Sequence, residues 1–359
     1  MTKKIAGITG LTQTQLSNLV ESMGEPNYRA KQLNKWIYRS LALSFEEMSD
    51  LPADFRQKLA ATVRLHSLKP VHETTGRDGT MKILFRLADG LTVESALMSY
   101  PRDGDEGRAT ACLSTQAGCA IGCPFCATSR QGFQRNLTPG EIIDQALYLA
   151  HRSRQRPTNI VFMGMGEPLA NYDALLQAIE RLNSPEGFGL GARNMVVSTA
   201  GLVPQIEKLS REKFQTGLAV SLHASDNKLR DRLVPINRKY PLEQLIPACR
   251  DYFLETGRRV SFEYVLFKNV NDSAGQAQSL ARLLYGLNCH VNLIAANDTG
   301  DAAFQPPPRR DILNFERILK ESGINATLRQ PRGQDIDAGC GQLRSRVGVK
   351  LLKERENET

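Results

Sequence analysis

Residues 118–126 read Gly-Cys-Ala-Ile-Gly-Cys-Pro-Phe-Cys, and this short stretch holds three of the seven cysteines of the chain. An odd number of clustered cysteines argues against a secreted disulfide framework and favours metal or redox chemistry. Three thiolates can each bind one iron of a 4Fe-4S cube and leave the fourth iron open for another ligand. The spacing of Cys119, Cys123 and Cys126 therefore predicts an iron–sulfur cluster. A zinc site with a fourth ligand elsewhere is the alternative, although the sequence shows no second pair of ligands.

Strand-like and helix-like stretches alternate after residue 109. The helix that starts at Pro139 carries a clear signal, because Thr138 and Glu141 form a capping box around it. Six alternations of this kind predict parallel strands with helices outside, in an open sheet or a barrel. We predict strands near 110–114, 158–163, 194–198, 217–222, 260–266 and 290–295, and helices near 139–152, 171–183, 204–212, 242–256, 273–287 and 309–323.

The first 75 residues are predicted to be helical, with helices in 11–23, 28–43 and 55–65. Lysines and arginines surround the only tryptophan, Trp36, and such residues could neutralise RNA phosphates. This segment is therefore a candidate RNA-binding accessory domain. The alternative for Trp36 is a core tryptophan on a helix with a solvated basic face.

Residues 81–99 predict two strands joined by Asp89-Gly90, a pair typical of hairpin turns. A polar loop is predicted to follow at 101–108. The predicted domains are a helical accessory domain at 1–75, a hairpin extension and linker at 76–105, an α/β core at 106–345 and a charged tail at 346–359.

Bulk composition fits a cytoplasmic protein that meets a polyanion. The 359 residues include 46 Lys and Arg against 38 Asp and Glu, a formal charge of +8, and a basic balance often accompanies nucleic-acid binding. No run of about 18 apolar residues predicts a membrane span, and the first residues lack the apolar core of a secretory signal. We therefore expect no membrane partner.

Polar residues follow several of the predicted strands. In barrels of parallel strands, the chemistry lies at the carboxyl ends of those strands. Glycines 164 and 166 are expected to let the backbone approach a ligand closely, and Glu167 can accept a hydrogen bond from an ammonium group. Each polar residue alone could be a turn residue or a helix cap, but together they predict one rim: Gly164-Met-Gly166-Glu167, Ser198, Ser221-Leu-His223 and Asn297.

The Cys-x3-Cys-x2-Cys loop resembles that of the radical S-adenosylmethionine (radical SAM) enzymes. These enzymes share an α/β fold in the form of a partial (β/α)6 barrel. In that family the open iron binds the amino and carboxylate groups of S-adenosylmethionine, and the reduced cluster cleaves it to a 5′-deoxyadenosyl radical. Further motifs resemble the RlmN group of dual-specificity adenine carbon-2 methyltransferases, which act on 23S rRNA and tRNA: Gln131-Gly-Phe-Gln-Arg-Asn-Leu, Gly164-Met-Gly-Glu-Pro-Leu-Ala-Asn171, Ser221-Leu-His-Ala and Asp335-Ile-Asp-Ala-Gly-Cys-Gly-Gln-Leu343.

The resemblance runs from about Tyr28 to Leu343, with a longer loop at 101–108 and Gly339 in place of alanine as departures. It implies that Cys340 carries a methyl group, that Cys112 is its resolving partner and that Glu94 accepts a proton. Without it, Glu94 reads as a solvent-facing charge, and Cys112 and Cys340 as buried structural thiols, as we expect for the remaining cysteines, Cys249 and Cys289. The implied cluster ligands are Cys119, Cys123 and Cys126, and the implied S-adenosylmethionine residues are Gly166, Glu167, Ser198, Ser221, Leu222, His223 and Asn297.

The implied chemistry explains the two extra cysteines. Carbon 2 of adenine lies between two ring nitrogens and is too electron-poor to attack a sulfonium methyl group, whereas the Cys340 thiolate can. A second S-adenosylmethionine then supplies the radical that removes a hydrogen from the S-methyl group, and the resulting carbon radical adds to the ring. Loss of the ring proton and attack by Cys112 on the sulfur release methyladenine and leave a disulfide. Flavodoxin or ferredoxin would reduce the cluster.

Two other functions stay open at this point. The related carbon-8 adenine methyltransferases of antibiotic resistance would use the same cysteines, although Pro168 favours the carbon-2 group. From a different class, the chain could be a cluster-bearing or zinc-bearing RNA-binding protein without catalysis.

Overall fold

The structure is a computed structural model, and it describes residues 7–102, 105–296, 302–330 and 332–336. Its strands are β1 (Lys69–Thr75), β2 (Met81–Arg86), β3 (Thr92–Arg102), β4 (Asp105–Cys112), β5 (Gln116–Gly118), β6 (Phe133–Asn136), β7 (Asn159–Phe162), β8 (Met195–Thr199), β9 (Gly217–Ser221), β10 (Val260–Leu266), β11 (Cys289–Ala295) and β12 (Ala326–Leu328). Its α-helices are α1 (Gln13–Ser22), α2 (Tyr28–Lys35), α3 (Ala53–Thr62), α4 (Ala127–Arg130), α5 (Pro139–Ser153), α6 (Tyr172–Asn183), α7 (Val203–Ser210), α8 (Asn227–Leu233), α9 (Leu242–Thr256), α10 (Ala274–Leu283) and α11 (Arg309–Glu321).

One ten-stranded sheet organises the molecule, in the order β1-β2-β3-β4-β7-β8-β9-β10-β11-β12. The first four strands pair antiparallel, and β4 and all strands after it in this order pair parallel. The predicted alternation is confirmed, because the six predicted strands are β4 and β7 to β11 and each predicted helix is present. The apolar runs of β7 and β9 are buried on both faces, as is typical of parallel sheets, whereas β8 and β11 alternate buried and half-buried residues. The fold is the partial barrel of parallel strands that the resemblance implied, with β12 added at its end.

The amino-terminal helices pack directly on the barrel. Their apolar residues belong to the same continuous core as the strands, and Trp36 packs against that core, as the second interpretation of this residue predicted. The Nη2 atom of Arg181 on α6 donates to the Oδ1 atom of Asn34 on α2 at 2.8 Å. The Nδ1 atom of His66 lies 2.9 Å from Oδ1 of Asp144 on α5. These buried polar contacts fix the helices against the α/β core.

Two predictions of local structure were wrong. Residues 69–75 are not helical but form β1, because they complete an antiparallel ladder with β2 that a sequence window does not reveal. The predicted loop at 101–108 is mostly strand, since β3 extends to Arg102 and β4 starts at Asp105. The guanidinium of Arg108 stacks on the ring of its cross-strand partner Tyr100, 4.3 Å from the centroid, and this contact stabilises the polar ribbon.

No helix within the described ranges has the length and apolar character needed to cross a membrane.

Candidate active site

A cavity of about 400 Å³ opens at the carboxyl ends of the parallel strands. The cysteine loop forms one side of it, and residues in or just after the carboxyl-terminal halves of β7, β8, β9, β10 and β11 form most of the rest. Residues from so many strands can meet around one cavity only because the sheet curls. The cavity is lined by nine of the predicted residues: Cys119, Cys123, Cys126, Gly164, Gly166, Glu167, Ser198, Ser221 and His223.

The cysteine loop is held by the small β5–β6 hairpin. The backbone N–H of Cys119 donates to the carbonyl of Gly132 at 3.2 Å, and that of Cys126 donates to the carbonyl of Cys123 at 3.1 Å. Gly118 (φ +83°) and Gly122 (φ +80°) both adopt the left-handed conformation that favours glycine. The loop thus turns twice within a few residues and directs all three thiols toward the cavity.

Electrostatics in this loop fit a positively charged cluster. Burial, together with the charges of the neighbouring Glu167 and Cys126, raises the pKa of the Cys119 thiol to about 11. Burial also raises the pKa of Cys123, followed by the charges of Cys126 and Cys119. Thiolates that repel one another in this way are stabilised when they bind cationic irons. No three His, Cys, Asp or Glu side chains of the described ranges converge closely enough to hold a single metal ion. A cubic cluster does not require such convergence, because each of the three thiols would bind a different iron.

Glu167 is fixed at the cavity wall by backbone donors. Its Oε1 atom accepts from the N–H of Leu169 at 3.1 Å, and its Oε2 atom accepts from the N–H of Ala200 at 2.7 Å. Burial raises the pKa of this carboxyl to about 7, although the two backbone donors oppose the shift. A carboxylate oriented in this way can accept a hydrogen bond from an ammonium group in the cavity.

Gly164 and Gly166 have a packing role in addition to the predicted approach to a ligand. A Cβ atom on Gly164 would lie 2.7 Å from the carbonyl of Leu113, and one on Gly166 would lie 2.5 Å from Cβ of Gln116. The two glycines therefore permit close approach to the segment that leads from β4 into the cysteine loop. The lack of a side chain at these two positions allows the rim to pack on this segment. Ligand approach alone therefore does not explain why both residues are glycine.

His223 is a buried neutral imidazole in an unusual backbone conformation (φ +56°). Its Nδ1 atom accepts from the N–H of Val265 at 3.1 Å, which places the ring proton on Nε2. Burial, followed by the charge of Arg230, lowers the pKa of His223 to about 3. The Nε2–H group can therefore act as a hydrogen-bond donor at any physiological pH.

Leu222, Asn297 and Cys340 stand apart from the other predicted residues. The Leu222 side chain is fully buried in the core, and its backbone N–H donates to the carbonyl of Glu263 at 3.0 Å. Only its backbone can contribute to the rim. Asn297 and Cys340 lie outside the residues that the structure describes.

Glu94 is buried. Without the family resemblance, its position on a strand predicted a solvent-facing charge, and that prediction was wrong. It is 3% exposed, and its Oε2 atom lies 2.9 Å from the Nζ atom of Lys82. Cys112 lies nearby on β4 and is half-buried. Burial raises the pKa of the Cys112 thiol to about 11, and the surrounding charges oppose one another: Arg329 and Lys82 lower it, whereas Glu94 raises it.

Cys249 and Cys289 are buried in the core, as predicted for structural thiols, with 0% and 4% exposure. All six cysteines within the described ranges are free thiols. The predicted disulfide between Cys112 and Cys340 involves a residue outside those ranges.

Sequence reasoning missed two charged residues of the cavity wall, Glu263 and Arg329. The Oε1 atom of Glu263 accepts from Nδ2 of Asn292 at 2.8 Å, and its Oε2 atom lies 3.5 Å from Nη1 of Arg329. A signal existed for Glu263, because it is the only charge in the buried strand Val260–Leu266. Charged residues are rarely buried in strands without a partner or a function.

The sequence Lys228-Leu-Arg-Asp-Arg-Leu, with Arg238 and Lys239, predicts a basic loop that could contact RNA phosphates, or a solvated charge run at any single position. The structure contradicts this for Arg230, because the segment is helix α8 and the Arg230 side chain is fully buried. Lys228, Arg232, Arg238 and Lys239 are exposed. The guanidinium of Arg230 instead donates to the carbonyls of Ala200 (2.6 Å), Ser221 (3.1 Å) and Leu222 (3.2 Å) and to Oδ1 of Asn237 (2.8 Å). It thereby ties together the ends of β8 and β9.

Arg230→Met is therefore expected to destabilise the protein strongly. The variant leaves several buried carbonyl oxygens without a donor, and we expect the free energy of unfolding to fall by about 3 kcal/mol or more. Arg232→Met is the matched control, since it removes an exposed arginine from the same helix and should change stability by less than about 0.5 kcal/mol. Urea unfolding of both variants measures the difference. Equal midpoints would show that the buried network does not hold the strand ends.

A pair of glycine variants tests the shape of the cysteine loop. Gly118→Ala and Gly122→Ala each force a left-handed alanine, at a cost of roughly 1–2 kcal/mol. Only at Gly118 would the new methyl group also collide with a backbone atom, the carbonyl oxygen of Gly132. We expect Gly118→Ala to lose most of the iron bound after anaerobic reconstitution and Gly122→Ala to keep it. Iron analysis with circular dichroism as a folding check decides, and equal iron content would contradict the loop geometry.

Comparison with known proteins places the chain in a family. The sequence profile of the Radical SAM superfamily matches residues 113–277, and that of the ribosomal RNA large subunit methyltransferase N-terminal domain matches residues 6–65. A probable dual-specificity RNA methyltransferase RlmN from Moorella thermoacetica is 47% identical over 350 residues, which are 96% of this chain and 98% of that protein. The corresponding protein from Desulfitobacterium hafniense is 45% identical over 342 residues, 94% of this chain and 96% of that protein.

A solved structure supports the same assignment. The crystal structure of a radical SAM methyltransferase from Sphaerobacter thermophilus superimposes with a TM-score of 0.91 at 50% sequence identity, covering 95% of this chain and 100% of that chain. The similarity thus includes the amino-terminal helices as well as the barrel. The chain belongs to the RlmN family of radical SAM methyltransferases.

Proposed function

We propose that this chain methylates carbon 2 of an adenine in 23S rRNA and in tRNA, through a methylated cysteine and a covalent protein–RNA intermediate. One observation carries the proposal: a single cavity combines three thiols with the spacing of the family, the oriented carboxylate of Glu167 and the ends of the neighbouring strands. The names of the relatives, dual-specificity RNA methyltransferases, support RNA as the substrate.

The predicted side chains of the cavity each have a proposed role in binding. Cys119, Cys123 and Cys126 hold three irons, and Glu167 accepts from the ammonium group of S-adenosylmethionine. Ser198, Ser221 and the Nε2–H group of His223 offer hydrogen bonds to its remaining polar atoms, together with Asn297. When bound, the 4Fe-4S cluster supplies the electron that cleaves S-adenosylmethionine and takes one electron back from the RNA adduct.

The remaining steps use residues of this chain. The Cys340 thiolate accepts a methyl group from a first S-adenosylmethionine, and that group becomes the methylene bridge to carbon 2 during the radical phase. Glu94 takes the proton that carbon 2 loses. Cys112 then attacks the sulfur of Cys340, so that a disulfide forms and methyladenine leaves. Both cysteines return to thiols when the disulfide is reduced.

RNA binding and electron delivery complete the proposal. The accessory domain at residues 1–75 and the exposed cations Lys228, Arg232, Arg238 and Lys239 are proposed to contact phosphates, which makes binding weaken as salt rises. A small electron-transfer protein such as flavodoxin or ferredoxin is proposed to reduce the cluster. We place the reaction in the cytoplasm, where thiols stay reduced.

Anaerobic reconstitution with iron and sulfide, followed by a strong reductant, tests whether the protein is an enzyme. We expect the reduced protein to cleave S-adenosylmethionine to 5′-deoxyadenosine. A protein that binds zinc stably, retains RNA and produces no 5′-deoxyadenosine would instead be a non-catalytic RNA-binding protein, and the proposal would be wrong.

A further inference from the structure

Lys82 is a buried charged residue to which the proposed reaction assigns no role. It lies on β2 with 2% exposure, and its Nζ atom is 2.9 Å from Oε2 of Glu94. Replacing a buried ion pair by apolar residues of similar volume is often neutral or even stabilising. Folding alone therefore gives little reason to place a lysine at this position.

The strand register puts Lys82 in line with Cys112. Lys82 pairs with Ala96 on β3, and Ala96 pairs with Cys112 on β4. Paired residues of antiparallel strands point to the same face, and Glu94, two residues before Ala96, points there too. The Cα atoms of Lys82 and Cys112 are two strands apart, about 10 Å. The residue between them in the register, Ala96, has a small side chain.

This shared face is the one that borders the active-site cavity. The thiol of Cys112 accepts a hydrogen bond from the backbone N–H of Met163 and is close enough to Arg329 to be influenced by its charge. Met163 and Arg329 both line the cavity. Lys82, Glu94 and Cys112 therefore form a polar row directly behind the cavity wall.

The backbone around Glu94 is held rigidly. Its carbonyl accepts from the hydroxyl of Ser114 at 2.6 Å, and that hydroxyl oxygen accepts from the N–H of Met165 at 2.8 Å. The rim segment after β7 and the strand that carries Glu94 are thus linked through one serine. With the backbone fixed, the ion pair with Lys82 helps to hold the Glu94 carboxylate in place.

We propose that Lys82 is a positioning residue for the resolving step: its ammonium group fixes the Glu94 carboxylate beside Cys112 and stabilises the Cys112 thiolate. The inference rests on the proposed function, because it takes Cys112 as the resolving thiol and Glu94 as the proton acceptor. In that step the Cys112 thiolate attacks the sulfur of Cys340, and the S–S bond forms as the C–S bond breaks. The electron pair of the C–S bond stays on the released carbon, which takes up a proton and becomes the methyl group.

The charges around Cys112 explain why the step needs a cation. The thiolate is the attacking species, and burial together with the Glu94 carboxylate raises the pKa of Cys112. Lys82 and Arg329 act in the opposite direction, and Arg329 is shared with Glu263. Removal of Lys82 takes away one of the two cations that lower the pKa of Cys112 and leaves the opposing charge of Glu94 in place, so that the thiolate fraction falls.

Alkylation of Cys112 in the full-length apoprotein tests the coupling without any turnover. We would follow the reaction of Cys112 with iodoacetamide across pH by peptide mass spectrometry in Lys82→Met, Lys82→Arg and the wild type. The neutral variant is expected to shift the midpoint upward by about one pH unit, a tenfold loss of thiolate below the midpoint, and the arginine variant is expected to keep it. Arg86→Met removes a charge from the same strand, farther from Cys112, and is the control. Lys82→Gln replaces Lys82→Met if that variant does not fold.

A second readout connects the coupling to the reaction. In the reconstituted enzyme, Lys82→Met is expected to accumulate at least tenfold more RNA–protein adduct than the wild type, and higher pH should relieve the accumulation. An unchanged alkylation midpoint in the neutral variant, Lys82→Met or its replacement Lys82→Gln, would overturn the inference whatever the enzyme does. A shifted midpoint in a protein whose Cys112→Ala variant never forms an adduct would leave the coupling intact and overturn the proposed function instead.

Discussion

Cys112→Ala is expected to stall with RNA covalently attached to the protein, whereas Cys340→Ala is expected to form no RNA adduct. The difference follows from the order of the steps. Cys340 acts first, as methyl acceptor, so that its loss stops the reaction before RNA is attacked. Cys112 acts last, on the sulfur of the adduct, so that its loss permits methylation of Cys340 and radical addition but not release. Both variants lose methylated product, and only one accumulates a crosslink.

Denaturing electrophoresis of each reconstituted variant with substrate RNA measures the crosslink. Cys289→Ala is a suitable control, because this thiol is buried at the start of β11 and should leave turnover intact if the variant folds. Purely structural roles for Cys112 and Cys340 would give two similar losses from misfolding, without a crosslink. A crosslink with Cys340→Ala, or full turnover by Cys112→Ala, would refute the assigned roles.

Replacement of any one of Cys119, Cys123 or Cys126 by alanine is expected to abolish cluster binding and methylation together. Each thiol holds a separate iron, and the cube has no spare protein ligand, so that the wild type should carry about four irons per chain and the variants far fewer. S-adenosylmethionine cleavage should fall to background for the same reason.

Iron and sulfide analysis after anaerobic reconstitution, with the cleavage assay on the same samples, measures both losses. Cys249→Ala provides the matched control, because this thiol is fully buried in α9 and takes no part in the cysteine loop. Retained activity in any of the three loop variants would contradict the assignment of the cluster.

The sequence predicted the parallel strands and the site at their ends because both leave local signals. Apolar runs of strand length recur between amphipathic helices, and polar residues such as Glu167 and Ser221 mark the points where strands end. Parallel strands bring those ends to one edge whatever the details of packing. The cavity that gathers these residues therefore follows from local patterns and one topological rule.

Other features depend on long-range contacts that no local pattern contains. Val93, Glu94 and Ser95 are all buried, so that strand alternation carries no information about which side chain faces solvent. The environment of Glu94 is set by Lys82 on the neighbouring strand. Arg230 looks like part of a basic surface segment, yet its partners are carbonyls at the ends of two other strands.

The ring position of the new methyl group on RNA tests most directly whether the protein methylates carbon 2 of adenine. Substrate rRNA and tRNA fragments would be incubated with the reconstituted enzyme, reductant and S-adenosylmethionine, digested to nucleosides and analysed by mass spectrometry against synthetic standards. We expect 2-methyladenosine as the product, and we expect it to be absent when Cys340 is replaced by alanine. The appearance of 8-methyladenosine as the product, or of no methylated adenosine despite cleavage of S-adenosylmethionine, would contradict it.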